Sequence, residues 1–78
     1  MSRKGPSSID LHVSAKLRRR REALQLTQTT VARAVGVSPA QIQKYERGKD
    51  RISAGRLYEL AVILECGIGF FYDGLDDS

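Results

Sequence analysis

The sequence predicts an all-α fold, a single domain of five short helices, and three observations carry that prediction. Apolar residues recur at spacings of three, four and seven, as they do along one buried helical face. No stretch shows the apolar–polar alternation of a half-buried strand, and no internal repeat is present. Gly, Ser, Thr and Pro break the pattern at intervals that leave connections of about two to six residues, the usual length between packed helices. With 78 residues the chain has room for one modest core.

The first helix is expected from about Asp10 to Leu24, where Val13, Leu17 and Leu24 fall on one stripe and Asp10 or Ser8 supplies the cap. A second, short helix follows Thr27. Val31, Ala32 and Val35 hold its period until Gly36 stops it. The third starts at Ser38, with Pro39 at the first helical position and Gln41 three residues after the cap, which is the capping-box arrangement. It runs about two turns through Ile42 and Tyr45 to Gly48, a residue suited to the left-handed end of a helix. Ser53 caps the fourth, whose Leu57, Leu60, Ala61 and Leu64 face a core, with Ile52 and Leu57 as a hydrophobic staple. Ile68, Phe70, Phe71 and Tyr72 form the last short helix or turn before Gly74. The expected layout is a flexible tail over residues 1–8, the helical domain over 9–74, and an acidic end over 75–78.

Charge is unevenly placed. Residues 1–56 hold all 13 Lys and Arg against four acids, whereas residues 57–78 hold five acids and no base, so the net charge of +4 conceals a basic body and an acidic end. Such a chain suits contact with a polyanion through one face, although solvated helices are often as basic. No apolar run is long enough for a membrane span, the N-terminus lacks the apolar stretch of a secretory signal, and lone Cys66 has no intramolecular disulfide partner. These features point to a protein of the reducing cytoplasm. The only histidine, His12, and Cys66 lie on different elements, with His12 expected on the surface of the first helix and Cys66 in the core. No Gly-rich phosphate loop, metal-spaced cluster or nucleophile–base pair is found, so neither catalysis, metal nor cofactor is expected.

Residues 27–48 are the informative stretch. Two short helices joined at Gly36 make a helix-turn-helix, and a side chain at that glycine is expected to clash; small Ala32 lets the helices approach. On the third helix Ile42, Tyr45 and Glu46 share one face, while Ala40, Gln43, Lys44 and Arg47 share another. The second face carries groups that read base edges: Gln43 suits adenine, Lys44 guanine, and the Ala40 methyl a thymine methyl. Gln41 lies at the edge and can join either face. Ser38, Pro39, Ala40, Gln41, Gln43 and Lys44 are therefore the candidate base-reading set, against the plain alternative of a soluble helix surface. Arg47, Lys49 and Arg51 continue the basic line just beyond, where a loop would follow the phosphates, or they form a flexible charged loop.

The motifs Thr27-Gln28, Val31-Ala32, Gly36-Val37-Ser38, Gln41-Ile42, Tyr45-Glu46 and Gly48 resemble, in order and spacing, the XRE family of phage-repressor-like transcriptional regulators. The likeness extends over about residues 10–74. It implies a compact five-helix helix-turn-helix domain of the phage-repressor type that binds operator DNA as a dimer, and it implies that Gln28, at the start of the second helix, contacts a phosphate. Where the family often has Gly near the end of the fourth helix this chain has Glu65, so that end is not defined by resemblance.

The run Arg18–Arg21 cannot face one partner, because successive helical residues turn by about 100°. Arg21 alone falls on the apolar stripe, where a charge needs a partner; Glu46 on the packed face of the third helix is the candidate, and the resemblance implies the same ion pair. Arg3 and Lys4 fit either a minor-groove arm or a disordered tail. The expected partner is double-stranded DNA, bound by a homodimer that docks through the fourth helix and the exposed part of the Ile68–Tyr72 cluster, against the plain alternative that the whole cluster fills the monomer core; the sequence does not say whether the dimer exists without DNA. The expected effect is repression from an inverted repeat. The competing classes are a protein-interaction module of the same fold and an antitoxin with a toxin partner.

Overall fold

The computed structural model describes residues 7–75, so Arg3, Lys4 and most of the acidic end lie outside the described residues. Four α-helices and a closing 3-10 helix follow one another: α1 (Ser8–Ala23), α2 (Gln28–Val35), α3 (Pro39–Glu46), α4 (Ala54–Ile63) and the 3-10 helix (Ile68–Tyr72). No strand occurs among the described residues. The fifth expected helix is thus a single 3-10 segment. It is confined between Gly67 and Gly74 and is held through Phe71, which is fully buried.

Local chemistry sets each start. α1 begins two residues before the expected Asp10, because Ser7, not Ser8 or Asp10, is the cap. Ser7 Oγ accepts from the Asp10 backbone N–H at 3.1 Å, and the Asp10 carboxylate accepts from the Ser7 N–H at 3.2 Å. Thr27, Ser38 and Ser53 cap α2, α3 and α4 by accepting from the N–H three residues on. At α3 only half of the expected capping box forms: Ser38 Oγ accepts from the Gln41 N–H at 3.1 Å, but the Gln41 side chain turns away to Asp50.

The α-helices end alike. The N–H of Leu26, Val37, Lys49 and Cys66 each reaches back to the carbonyl five residues earlier, closing a Schellman turn through a left-handed residue. Those residues are Gln25 (φ 58°), Gly36 (φ 79°), Gly48 (φ 70°) and Glu65 (φ 56°). Glu65 therefore takes the conformation a glycine would adopt without cost, and this defines the end of α4. At Gly36 the expected clash is absent, since a Cβ there would meet nothing within 4 Å; its positive φ is the reason for glycine. Gly48 has both reasons, because a Cβ would lie 2.6 Å from Leu11 Cδ2.

The core comprises Leu17, Val31, Ile42, Leu60, Leu64 and Phe71, all fully buried, with Ala32, Leu57 and Ala61 beside them. α2 packs on α3 and α4, while α1 packs on α3 and the 3-10 helix. Cys66 and Ile52 are half-buried against this core.

Two arginines of α1 and α4 tie the frame through backbone carbonyls. Arg20 Nε donates to Leu64 O at 2.8 Å and its Nη2 to Glu65 O at 3.1 Å, closing the end of α4 against α1. Arg56 Nη1 donates to Val35 O at 2.8 Å, closing α2 against α4. His12 is half-buried rather than a plain surface residue, because its Nε2 lies 2.7 Å from Asp73 O and anchors the end of the 3-10 helix.

Candidate nucleic-acid interface

α3 is built to be held from one side. Ile42 and Tyr45 are buried on the core face, and Glu46 next to them keeps only 3% of its side chain exposed. A carboxylate so enclosed needs compensation, and two helices supply it. Arg21 of α1 grips it with both arms, Nε donating to Oε2 at 2.6 Å and Nη2 to Oε1 at 3.0 Å. Gln28 of α2 adds its Nε2 to Oε1 at 3.0 Å. The spare arm of Arg21, Nη1, donates to Leu26 O at 2.9 Å, so the guanidinium also fixes the α1–α2 turn. Hydrogen bonding to Glu46 raises the Arg21 pKa against the opposing effect of burial, so this arginine stays charged.

The opposite side of α3 is free. Ser38, Pro39, Ala40, Gln43, Lys44 and Arg47 are exposed, and the side chains of Gln43, Lys44 and Arg47 make no hydrogen bond among the described residues. Gln43 and Arg47 share the rim of a polar cleft of about 140 Å³ with Arg18 and Gln28, whose floor is the Arg21–Glu46 pair. Sequence reasoning passed over Arg18. It sits one turn before Arg21 on the same side of α1, which was a legible signal, and its exposed guanidinium pairs with Glu22 at 3.1 Å.

The basic loop after α3 divides. Lys49 is exposed and, like Lys44, carries no hydrogen bond from its ammonium among the described residues. Arg51 is exposed too, but its Nε lies 3.2 Å from Asp10 Oδ2, so the loop is tied to the start of α1. Burial alone would push the Asp10 carboxyl up, but hydrogen bonds from Ser7 and the charge of Arg51 outweigh it and hold the pKa below 3.8. The assigned residues thus fall into four places: Ser38, Pro39, Ala40, Gln43, Lys44, Arg47 and Lys49 are open, Gln28 faces Glu46, Arg51 faces Asp10, and half-buried Gln41 faces Asp50. Between Lys49 and Arg51 stands Asp50, whose carboxylate accepts from Gln41 Nε2 at 2.9 Å.

Among the described residues, no group of three or more His, Cys, Asp or Glu side chains is placed to hold a metal ion, and no helix is long and apolar enough to cross a membrane. An apolar groove of about 310 Å³ lies between α2 and α4, lined by Ala34, Val35, Tyr58, Glu59, Val62 and Ile63. Tyr58 and Val62 are 62% and 58% exposed on its rim.

Comparison with known proteins agrees with this geometry. The family model HTH_3, helix-turn-helix, matches residues 17–71. The chain is 53% identical over 68 residues to the "Uncharacterized transcriptional regulator in ATPase CF(0) region" of Rhodospirillum rubrum, covering 87% of this chain and 63% of that protein. It spans only about half to two-thirds of the length of the curated relatives it matches. Among solved structures, the restriction-modification controller protein C.AhdI of Aeromonas hydrophila superposes with a TM-score of 0.78 at 25% identity, over 83% of this chain and 98% of that one. The P22 c2 repressor, solved with a synthetic operator, superposes with a TM-score of 0.72 at 27% identity, over 80% of this chain and 94% of that one. With its capped α2–Gly36–α3 unit, its family-model match over most of its length and a relative more than half identical, this chain belongs to the helix-turn-helix family HTH_3, of the XRE type.

Proposed function

We propose that this chain is a cytoplasmic, sequence-specific DNA-binding transcriptional regulator that places α3 in the major groove and acts as a repressor. One observation carries the reading. α3 has a locked side, built around a buried ion pair, and a free side bearing Ala40, Gln43, Lys44 and Arg47, which the domain does not use for its own packing. A surface helix held so firmly by α1 and α2 offers its free side chains at low conformational cost.

In this reading Ser38, Pro39 and Ala40 bring the first turn of α3 against the base edges; Gln41, Gln43 and Lys44 supply the polar contacts, and the Ala40 methyl meets a thymine methyl. Arg47 and Lys49 neutralise phosphates on either side. Arg51 exchanges the Asp10 carboxylate for a phosphate, and Gln28 offers the phosphate its remaining amide hydrogen and its backbone N–H at the start of α2. Arg21 and Glu46 bind no base; they orient α3. The names of its relatives, a transcriptional regulator and a repressor solved with operator DNA, support the same reading.

A domain this small reads a short half-site, so binding is by a homodimer on an inverted repeat, with half-site centres about 34 Å apart on one face of the duplex. The exposed Tyr58 and Val62, with Ile68 and Tyr72, are the surface on which the second copy docks. The apolar groove between α2 and α4, rimmed by Tyr58 and Val62, is the one feature that favours the alternative of a protein-interaction module or antitoxin. Repression follows from occlusion of the promoter. Selection of sites from random duplex DNA tests the proposal: a palindromic motif that Gln43→Ala/Lys44→Ala loses supports it, and motif-free binding unchanged in that variant refutes it.

A further inference from the structure

We propose that Asp50 sets base specificity by holding the Gln41 side-chain amide in the single orientation that reads adenine. The inference rests on the DNA-reading role of α3 given above.

The contact itself is chemically directional. A carboxylate only accepts hydrogen bonds, and an amide has one donating and one accepting end, so beside Asp50 the Gln41 amide must present its NH₂. The flip that exchanges Nε2 and Oε1 would set two oxygens against each other. With Nε2 2.9 Å from Asp50 Oδ2, one amide hydrogen is used and the carbonyl oxygen and the second hydrogen remain. With Asp50 on the hydrogen trans to the carbonyl, the oxygen and the cis hydrogen stand side by side and complement the N6 donor and N7 acceptor of adenine in the major groove; guanine offers two acceptors there and cannot use that pair fully.

The position of Asp50 is built. Gly48, in the left-handed region at φ 70°, folds the chain back on α3, and Lys49 and Asp50 N–H both reach Lys44 O, at 2.9 and 3.4 Å. The carboxylate is thereby brought to the first turn of α3, nine residues earlier in the chain. This also accounts for the missing half of the α3 capping box, since the Gln41 side chain is engaged by Asp50 and not by the Ser38 N–H. An exposed carboxylate on the basic loop Lys49–Arg51 opposes phosphate binding, and orientation of Gln41 is the compensating gain.

Site selection with wild type, Gln41→Ala, Asp50→Ala and Asp50→Asn, followed by affinity measurement on single-base variants of the selected site, tests the inference. In Gln41→Ala one adenine per half-site loses its preference by roughly 5-fold or more, the discrimination of a bidentate pair. Asp50→Ala and Asp50→Asn relax that same position and no other, because neither holds the amide against flipping: alanine offers no acceptor, and asparagine can donate as well as accept. Both raise affinity for all sequences. Adding Gln41→Ala to Asp50→Ala changes selectivity no further. Thermal melts of the Asp50 variants within a few degrees of wild type show that the fold is kept. If Asp50→Ala leaves the position under Gln41 unchanged, or relaxes a different one, the inference is overturned while the DNA-reading role stands. An intact motif in Gln41→Ala overturns it in the same way. If wild type selects no motif, the DNA-reading role falls and this inference falls with it.

Discussion

Removing the Glu46 carboxylate is the most informative single change to the frame. The Arg21 side chain is 13% exposed and Glu46 3%, so both charges have been taken out of bulk water and each relies on the other. Glu46→Ala strands a guanidinium among α1, α2 and α3, leaves Gln28 Nε2 without its acceptor, and opens a void on the packed face of α3. Breaking a buried pair from one side costs about 3–5 kcal/mol. A domain of this length has roughly 4–12 kcal/mol in total, so the variant loses a large share of its stability. At about 4–8 °C per kcal/mol, the melting temperature falls by roughly 12–40 °C. The assay is urea and thermal unfolding followed by far-UV circular dichroism, with wild type, Glu46→Ala, Arg21→Ala and the double variant. Because the partners share one interaction, the double variant is less damaged than the sum of the two, with a coupling of at least about 1 kcal/mol. Glu46→Gln keeps the shape and loses the charge, so it falls between wild type and Glu46→Ala and provides a folded species for DNA titration. A Glu46→Ala loss below about 1 kcal/mol, or additive single variants, would refute the assignment of this pair as the fastening of α3.

Further outcomes follow from the same frame. Arg20→Ala costs about 1–3 kcal/mol in urea unfolding, because it abandons the Leu64 and Glu65 carbonyls, whereas exposed Arg19→Ala stays within about 0.5 kcal/mol. Glu65→Gly and Gln25→Gly raise stability by up to about 1 kcal/mol, since each replaces a side chain held at positive φ; a loss in both would contradict the left-handed helix ends. Gly36→Ala costs about 1–2 kcal/mol from backbone strain alone, and Gly48→Ala costs more because its Cβ meets Leu11, an excess that Leu11→Ala should remove. The lowered Asp10 pKa gives stability that is complete above the unfolded value near 3.8 and is lost as pH falls through the folded one. Acid unfolding of Asp10→Asn should lack that component, and an unchanged pH profile would show that the Ser7–Asp10–Arg51 cluster contributes nothing.

The starts of α2, α3 and α4 were legible because capping is local. Thr27, Ser38 and Ser53 each stand directly before an apolar period, and the acceptor and its N–H are three residues apart. The start of α1 was misplaced because Ser7, Ser8 and Asp10 are all competent caps, and only the reciprocal Ser7–Asp10 bonding selects among them. The end of α1 near Leu24 was legible from its apolar stripe, but the left-handed residue that turns it was not, and the end of α4 was hidden for the same reason. Gln25 and Glu65 adopt a conformation their residue types disfavour, held there by the bonds from Leu26 to Arg21 and from Cys66 to Ala61. At the site, periodicity alone divides α3 into a packed and a free face. It could not show that Gln28 turns to Glu46, that Gln41 turns to Asp50, or that Arg20 and Arg56 serve carbonyls 44 and 21 residues away. Backbone carbonyls are identical at every position, so a sequence carries no mark of which one an arginine will meet.

Whether the free face of α3 reads bases decides the function of this domain, and affinity for a selected site against a scrambled duplex measures it. The titrations are run at several salt concentrations with wild type, Gln43→Ala/Lys44→Ala and Arg47→Ala. Wild type should prefer its site by about 10³ or more, and Gln43→Ala/Lys44→Ala should lose most of that ratio. Arg47→Ala instead weakens both duplexes alike and lowers the salt slope by about 0.9. Equal affinity of wild type for the two duplexes, or a ratio untouched by the Gln43/Lys44 variant, would contradict base reading by this face.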